Sequence, residues 1–250
     1  TLRYTTDGVA PTLNKGKVSQ TGIFNISSTT CLRLRLFKDG YLPSPVVTRS
    51  YIEDNGNYPF PIISIVTEDD HLNSSEYGVF QKGPNGRPGN GQSDKCNWNM
   101  DWDRPVNVEY LTVDGEMVIN QEANMEMCGG WSRAWTPHSF KIKANKIYEG
   151  ENFLPYQVFP NKAYLKHKTW QIRNGGNDTG SRIKDAALQT IVHTSGLEVD
   201  GQECQPVVHF INGKYIGVLN IREPNNKHFV EANYALGDDE IDQFEMSPDS

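Results

Sequence analysis

Strand-like alternation broken by frequent turn signals constrains this chain more than any other feature. In CLRLRLF, residues 31–37, apolar and polar side chains alternate with a period of two, as in a half-buried antiparallel strand. The 250 residues include 22 glycines and 14 prolines, which interrupt regular elements at short intervals. This composition excludes a coiled coil and a collagen, and predicts a β-rich globular fold with many loops.

Charge and hydropathy exclude several classes of protein. The chain has 24 Lys and Arg against 31 Asp and Glu, a net charge of −7, with no basic cluster long enough to follow a phosphate backbone. A nucleic-acid partner is therefore not expected. The longest apolar run, residues 60–66, is far shorter than the about 20 residues of a membrane-spanning helix, so no such segment is predicted.

Cysteine and histidine spacing offers no metal or redox motif. Cys31, Cys96, Cys128 and Cys204 contain no C-x-x-C pair, which excludes a zinc ribbon, while their even number leaves disulfides open. The histidines show no H-E-x-x-H spacing, which disfavours a zinc hydrolase. No G-x-S-x-G elbow, G-x-G-x-x-G motif or P-loop occurs, so the common signals of serine hydrolases and nucleotide-binding loops are absent from the sequence.

A polar segment punctuated by glycine, residues 53–59, is predicted to be a linker between two domains. Residues 1–52 contain three alternating segments and are predicted to be all-β. Residues 60–250 form the second predicted domain. Its predicted strands cover residues 60–66, 104–111, 117–119 and 139–144, with a long loop at residues 81–103.

Helical periodicity appears late in the chain. An apolar face runs through residues 182–195, where Ser181 is suited to cap the start and Gly196 the end. A β-hairpin follows, with Asn212-Gly213 as a type I′ turn, and a second helix is predicted over residues 225–235. The predicted fold class is α+β, with a β-rich first segment and a mixed sheet plus a few helices behind it.

Residues 1–52 resemble the small β-sandwich found at the C-terminus of chitobiase and β-hexosaminidase enzymes. The resemblance rests on three segments, "RYTTDGVAPT", "ISSTTCLRLRLFKDGYLPS" and "VVTRSYI". In that family a strand precedes the first segment and is missing here. The resemblance implies a partial β-sandwich without catalytic residues, which packs or binds as an accessory module.

Residues 60–236 resemble the CotH (spore-coat protein H) kinase-like family. The order of several segments carries the resemblance: "FPIISIVTEDDHLNSSEYGVF", "WDRPVNVEYLTVDG", "GGWSRAWTPHSFKIKA", "WQIRNGGND", "IKDAALQTIV" and "PVVHFINGKYIGVLNIREPNNKHFV". It implies a divergent protein-kinase-like fold that binds ATP with Mg²⁺ or Mn²⁺ and phosphorylates Ser or Thr of a secreted or surface protein. Some members instead serve as surface adhesins, so a non-catalytic binding module, possibly for a glycan, stays open.

Phosphoryl transfer requires a cation on the nucleotide phosphates, ligands for the metal and a base for the hydroxyl proton. Lys141, on a predicted strand, and Arg133, in a Gly-Trp-Ser-Arg segment, are candidate phosphate contacts. The alternative is that Lys141 is a solvated strand residue. Relatives often carry Lys-Lys where this chain has Pro137-His138, which weakens the transfer of ATP binding to it.

The segment RNGGND offers further candidates. Arg173, Asn177 and Asp178 supply a cation, an amide and a carboxylate beside two glycines, as a phosphate- or metal-facing loop would. The alternative is that Asn177 and Asp178 cap the following helix while Arg173 pairs with Asp185. By analogy with kinases, the strand ending at Glu223 is expected to line the adenine site.

No catalytic residue is predicted within this chain, and its metal ligands are unknown. The resemblance places the family's base and metal-binding aspartates downstream of residue 236, and residues 246–250 do not resemble them, so we expect a fragment truncated at both ends and inactive by itself. Both resemblances imply an extracellular or cell-envelope location. Five tryptophans, four of them in Gly/Asp-rich surroundings, are candidates for stacking on sugar rings, with core packing as the alternative.

Overall fold

Strand pairing organises most of the chain. The structure, a computed structural model, describes residues 1–53, 56, 58–178 and 180–244. It is mostly β with a few short helices, as the sequence predicts for a sheet-rich α+β fold. Residues 54, 55 and 57 of the predicted linker lie outside the described residues, and so do residues 245–250.

The first part of the chain forms one antiparallel sheet in the order β2-β1-β3-β4. Its longest strand coincides with the alternating segment at residues 31–37, although burial does not alternate along it: Cys31, Leu32 and Arg33 are all buried and Leu36 is exposed. Residues 22–26, which also alternate in sequence, form no strand. The bounds are β1 Leu2–Thr5, β2 Lys17–Ser19, β3 Thr30–Leu36 and β4 Val47–Tyr51.

The second part forms a closed seven-stranded barrel and a separate two-stranded hairpin. The remaining strands are β5 Ile62–Val66, β6 Lys82–Gly89, β7 Gln92–Cys96, β8 Arg104–Leu111, β9 Met117–Met127, β10 Phe140–Lys143, β11 Thr169–Arg173, β12 Cys204–Ile211 and β13 Lys214–Arg222. The barrel runs β10-β11-β13-β12-β5-β8-β9, and β9 pairs with β10 to close it. The β5–β12 pair is parallel and the others are antiparallel, so the sheet is mixed, as predicted, while its closure was not.

Alternation along the barrel strands places large apolar side chains inside. On β10, Phe140 and Ile142 are buried in the core, whereas Lys141 and Lys143 point outward. On β11, Trp170 and Ile172 are likewise buried in the core. Gln171 and Arg173 therefore lie on the outer surface beside Lys141, because Lys141 and Gln171 are register partners.

The core also holds a histidine. His209 on β12 is fully buried, with its ring centroid 5.4 Å from that of Phe140. Neither ring nitrogen has a hydrogen-bond partner among the residues that the structure describes. Burial lowers the pKa of His209 to about 3, so the ring is neutral in the folded protein.

Buried polar contacts join the first sheet to the barrel. The Ser50 N–H on β4 donates to both carboxylate oxygens of Glu109 on β8, at 2.8 and 3.1 Å. Arg33 on β3 forms an ion pair of 3.1 Å with Glu68, which follows β5. These contacts place the β-rich N-terminal segment directly against the outer wall of the barrel.

Among the residues that the structure describes, three short α-helices lie around the barrel, namely α1 Asp69–Asn73, α2 Lys184–Thr194 and α3 Lys227–Tyr234. The predicted helix at residues 182–195 is confirmed as α2, but its apolar residues are not packed against the core. Ile183, Leu188 and Ile191 are 62%, 57% and 61% exposed. Within the described part of the chain, no helix is long and apolar enough to cross a membrane.

The prediction that residues 81–103 form a long loop without regular structure is wrong. The segment contains the β6–β7 hairpin, whose register is irregular because glycines and prolines interrupt β6. Two buried asparagines stabilise it: Asn97 donates to the Gly78 carbonyl and Asn99 to the Gly89 carbonyl, at 3.0 and 3.1 Å. All four cysteines are free thiols, which answers the question that their number left open.

Candidate functional site

A cavity of about 530 Å³ opens on the outer surface of the barrel beside β10 and β11. Two glycine-containing segments bound it, residues 129–135 between β9 and β10, and residues 174–177 after β11. None of the lining residues that the structure describes is acidic. They are Gly129, Gly130, Trp131, Ser132, Trp135, Ser139, Gln171, Arg173, Asn174, Gly176 and Asn177.

Local geometry explains why the first segment forms one wall. Gly129 has φ +98°, which favours glycine, and lets the chain leave β9 sharply before a 3₁₀ turn at Trp131–Ala134. Arg133 folds back over this turn, because its Nε donates to the Gly129 carbonyl at 2.5 Å. The turn holds Trp131 at the mouth of the cavity.

Asn174 ties the two walls together. It is buried, and its backbone N–H donates to Ser139 Oγ at 2.9 Å. Its side-chain Nδ2 donates to the Ser132 carbonyl at 3.2 Å, and its Oδ1 accepts from the Gly176 N–H at 3.0 Å. A single amide thus fixes the spacing between both glycine-containing segments.

Of the four predicted nucleotide contacts, Arg173 lines the cavity, and Lys141 and Arg133 lie near it without lining it. Lys141, Arg133 and Arg173 all lie close enough to the Cys128 thiol to oppose the effect of its burial, which nevertheless raises its pKa to about 11. Gln171, which lines the cavity, donates from Nε2 to Cys128 Sγ at 3.4 Å. The three cations therefore lie around the buried Cys128 thiol, next to the cavity.

These cations are only loosely neutralised. Arg133 lies 3.7 Å from the nearest Asp101 oxygen, and Arg173 lies 3.9 Å from the nearest Asp185 oxygen. The Lys141 ammonium makes no ion pair within the described part of the chain. Such separations are at the outer limit of an ion pair, so Lys141 and Arg173 stay available to an anion. Arg133 is only 16% exposed and donates to the carbonyls of Gly129 and Trp98, so its guanidinium is largely engaged.

Lys143 differs from Lys141 although both point outward from β10. Its ammonium lies 2.5 Å from both Asp103 and Glu126, and these partners raise its pKa despite the opposing effect of burial. Lys143 is thus engaged in a local ion-pair cluster, which leaves Lys141 as the β10 cation beside Gln171, a residue that lines the cavity.

Asp178 makes hydrogen bonds that stabilise the start of α2, and Arg173 makes a long ion pair with Asp185 while it lines the cavity. Asp178 accepts from Ser181 Oγ and from the Lys184 N–H at 2.7 Å each, so it caps the first turn of α2. These bonds hold its pKa below the usual value. This is the alternative that the sequence left open for Asp178, whereas Asn177 lines the cavity.

Behind Arg173 stands a second, buried arginine. Arg222 on β13 has a side chain only 2% exposed and lies 2.9 Å from Asp185, so one carboxylate faces two guanidinium groups. Burial lowers the pKa of Arg222. Asp185 on α2 therefore holds the helix against β13 and tethers Arg173 only weakly.

Glu223 is not brought together with the other three candidates. Its side chain is 1% exposed at the end of β13, where one oxygen accepts from the Lys162 ammonium and from the Glu203 N–H. Lys162 Nζ also donates to Asn233 Oδ1 at 2.6 Å. Glu223 is therefore part of a buried ion pair and does not line the cavity.

Sequence reasoning missed several lining residues. Gln171, Asn174 and the two serines carry no motif of their own, and only Asn174 lies directly beside a glycine, so the sequence gives little signal for them. Pro137-His138, the departure from the Lys-Lys of relatives, is packed inward. His138 stacks on Phe80 with ring centroids 4.4 Å apart and hydrogen-bonds the Arg133 carbonyl at 2.8 Å, and burial lowers its pKa.

The donor set suits an anion rather than a metal ion. Among residues 1–53, 56, 58–178 and 180–244, no group of three or more His, Cys, Asp and Glu side chains is placed to hold a metal. The cavity instead offers guanidinium, amide and hydroxyl groups, which are donors to phosphate or carboxylate oxygens.

Comparison with known proteins gives one family. Residues 125–247 match the family model described as CotH kinase protein. The matched range begins within β9, contains every residue that lines the cavity, and extends past α3. A search of curated proteins finds no match. The family match supports the CotH resemblance for the second part of the chain.

Proposed function

We propose that this chain carries the nucleotide-binding portion of a CotH-type atypical protein kinase, which transfers phosphate from ATP to Ser or Thr of a secreted or surface protein. The carrying observation is a cavity whose lining includes Arg173 and, among the described residues, no acidic side chain, with Lys141 and Arg133 nearby, inside the range that matches the CotH family model. We place its site of action outside the cell or in the cell envelope, on the resemblance alone.

The electrostatics of the cavity support an anionic ligand. An arginine donates two parallel hydrogen bonds to phosphate oxygens, and Arg173 presents its guanidinium at the cavity wall. Its competing ion pair with Asp185 is 3.9 Å long, so little attraction is lost when a phosphate replaces it. Glycines at positions 129, 130 and 176 let a ligand approach the backbone closely.

The role proposed for the described residues is binding of ATP, not chemistry. Phosphoryl transfer also needs metal ligands and a base. Mg²⁺ or Mn²⁺ would accompany the nucleotide, but the donor set of the cavity does not fit a metal ion, and we assign no step to one. We likewise assign no catalytic residue within this chain.

For residues 1–52 we propose an accessory module of the type found at the C-terminus of chitobiase and β-hexosaminidase enzymes. The four-stranded sheet and its alternating β3 support this assignment. Its contacts with the barrel through Ser50–Glu109 and Arg33–Glu68 support a role in packing rather than in chemistry.

Calorimetric titration with ATP and Mg²⁺ tests nucleotide binding. We expect saturable binding that weakens at least about tenfold in Arg173→Ala and in Lys141→Met, because each loses a charge-assisted contact. Lys17→Met, at an exposed position of β2 in the other domain, is the matched control and leaves the affinity unchanged. Absence of binding by the unmodified chain contradicts the proposal.

One observation favours a second candidate, a non-catalytic surface-binding module. Trp131 and Trp135 both line the cavity, and indole rings stack on sugar rings as well as on nucleobases. In that case an oligosaccharide binds at the cavity and ATP does not compete with it. A competition titration separates the two candidates.

A further inference from the structure

We infer that Trp131 is the base-stacking surface of the cavity and that Gly91, at the tip of the β6–β7 hairpin, positions it. The inference rests on the proposed nucleotide binding and divides the ligand into two parts. Cations bind the phosphates, and the indole of Trp131 binds an aromatic base. Gly91 is thus a positioning residue that touches Trp131 and not the ligand.

Trp131 is exposed to a degree that is unusual for tryptophan. It lines the cavity and yet 69% of its surface meets solvent. Tryptophan is on average highly buried, because its large apolar surface is costly to leave in water. A free indole face beside a cluster of cations is the arrangement that proteins use to stack a base next to its phosphates.

One face of the indole is covered by a glycine. A Cβ added at Gly91 would lie 2.7 Å from Cε2 and 2.8 Å from Cδ2 of Trp131. These distances are far below van der Waals contact, so the ring lies directly against the Gly91 α-carbon. Any larger residue there displaces the indole from the cavity mouth.

The hairpin tip that carries Gly91 is itself anchored. Asn90 has φ +50°, and its Nδ2 donates to Asn99 Oδ1 at 2.9 Å. Asn99 is 1% exposed and donates from Nδ2 to the carbonyls of Arg87 and Gly89, at 3.1 Å each. A buried amide thus holds the tip rigid, and the indole rests on a fixed support.

This support lies outside the range that matches the CotH family. Gly91 and Asn99 precede residue 125, whereas Trp131 and the cations lie within residues 125–247. Base recognition in this chain therefore depends on a segment, residues 82–99, that the family match does not include. The preference expected is for nucleoside triphosphates over inorganic polyphosphate.

The test compares ATP with inorganic tripolyphosphate, which has the phosphates but no base. Stacking of one base on an aromatic side chain changes affinity by about five- to hundredfold on alanine substitution. We expect Trp131→Ala to lose at least about fivefold in ATP affinity and to keep its tripolyphosphate affinity. Trp131→Phe retains a ring and loses less.

Gly91→Ala has a closely matched control. Gly91 has φ +79° and Gly115 has φ +80°, but nothing lies within 4 Å of a Cβ at Gly115. Both substitutions carry the same backbone strain, and only Gly91→Ala displaces the indole. We expect Gly91→Ala to weaken ATP binding selectively, while Gly115→Ala binds as the unmodified chain does.

The outcomes separate this inference from the proposed function. If Trp131→Ala weakens ATP and tripolyphosphate equally, or weakens neither, the inference is wrong and nucleotide binding stands. If the unmodified chain binds neither ligand, both are wrong. Because Trp131 is mostly exposed, Trp131→Ala is expected to fold, so the result does not depend on the behaviour of Gly91→Ala.

Discussion

The Glu109 carboxylate accepts the backbone N–H of Ser50 with both oxygens, and this contact fixes β4 of the first sheet against β8 of the barrel. Glu109 is 0% exposed, and burial raises its pKa even though Ser50 and other partners oppose the change. A carboxylate that is held without a close cation lowers the stability of the folded state when it ionises.

Glu109→Gln should therefore change how stability depends on pH. With a folded pKa above the unfolded value near 4.5, the folded state of the unmodified protein binds more protons between the two values. Its free energy of unfolding thus falls as pH rises through that window. In Glu109→Gln this fall is absent. At neutral pH we expect the free energy of unfolding of the variant to equal that of the unmodified protein or to exceed it by up to ~1 kcal/mol. Urea unfolding at several pH values measures both.

Glu109→Leu is the matched comparison. It removes the charge and also the acceptor, so the buried Ser50 N–H loses its partner at a cost of about 1–3 kcal/mol. A fall in stability with pH that persists in Glu109→Gln would contradict the role of this carboxylate.

His209 predicts a pH effect of the opposite sign. Its pKa is about 3 in the folded protein against an ordinary 6.5, so the unfolded state binds more protons between these values. The part of the free energy of unfolding that depends on neutral His209 is fully present above pH ~6.5 and decreases as the pH falls toward 3. His209→Leu removes this loss, and it removes two buried nitrogens without partners among the described residues, so we expect ~1 kcal/mol of added stability at neutral pH.

Thermal unfolding of His209→Leu and of the unmodified protein between pH 4 and pH 7 checks this expectation. The two stability curves should diverge as the solution becomes more acidic. Parallel curves would mean that a group other than His209 causes the loss of stability at acidic pH.

The Lys162–Glu223 pair is predicted to serve stability and not nucleotide binding. The side chains are 13% and 1% exposed, and removal of one partner of a buried pair leaves an uncompensated charge. Lys162→Met should cost about 3 kcal/mol in the free energy of unfolding, and the double variant with Glu223→Gln should recover part of it.

A double-mutant cycle in urea measures the coupling between Lys162 and Glu223. Because Glu223 does not line the cavity, folded Glu223→Gln should bind ATP as the unmodified chain does. A large loss of ATP affinity in folded Glu223→Gln would restore the expectation that this residue lines the adenine site.

Local signals in the sequence predicted local structure well. The Asn212-Gly213 turn is confirmed, with φ of 48° and 75° at its two residues, as a type I′ hairpin requires. The alternation at residues 31–37 and the helical period at residues 182–195 also gave real elements. In each case the determining interactions lie within a few residues of one another.

Long-range pairing could not be predicted in this way. Closure of the barrel depends on β9 pairing with β10 and on the parallel pairing of β5 with β12, whose residues are far apart in the sequence. The exposed apolar face of α2 is a tertiary outcome as well. Its polar residues, such as Asp185, are held by the buried Arg222 instead.

The candidate site shows the same division. Lys141, Arg133 and Arg173 were proposed one by one through a resemblance, and the strand register brings them around Cys128. Gln171 and Asn174 were missed because only that register places them in the cavity. Gly91 was missed because its contact with Trp131 joins two segments that are 40 residues apart in sequence.

A crystal structure of the chain with a non-hydrolysable ATP analogue and Mg²⁺ tests the central claim most directly. The account predicts phosphate oxygens within hydrogen-bond distance of Arg173 and the base stacked on the free face of Trp131. An analogue bound elsewhere on the chain, with the cavity beside β10 and β11 vacant, would contradict it.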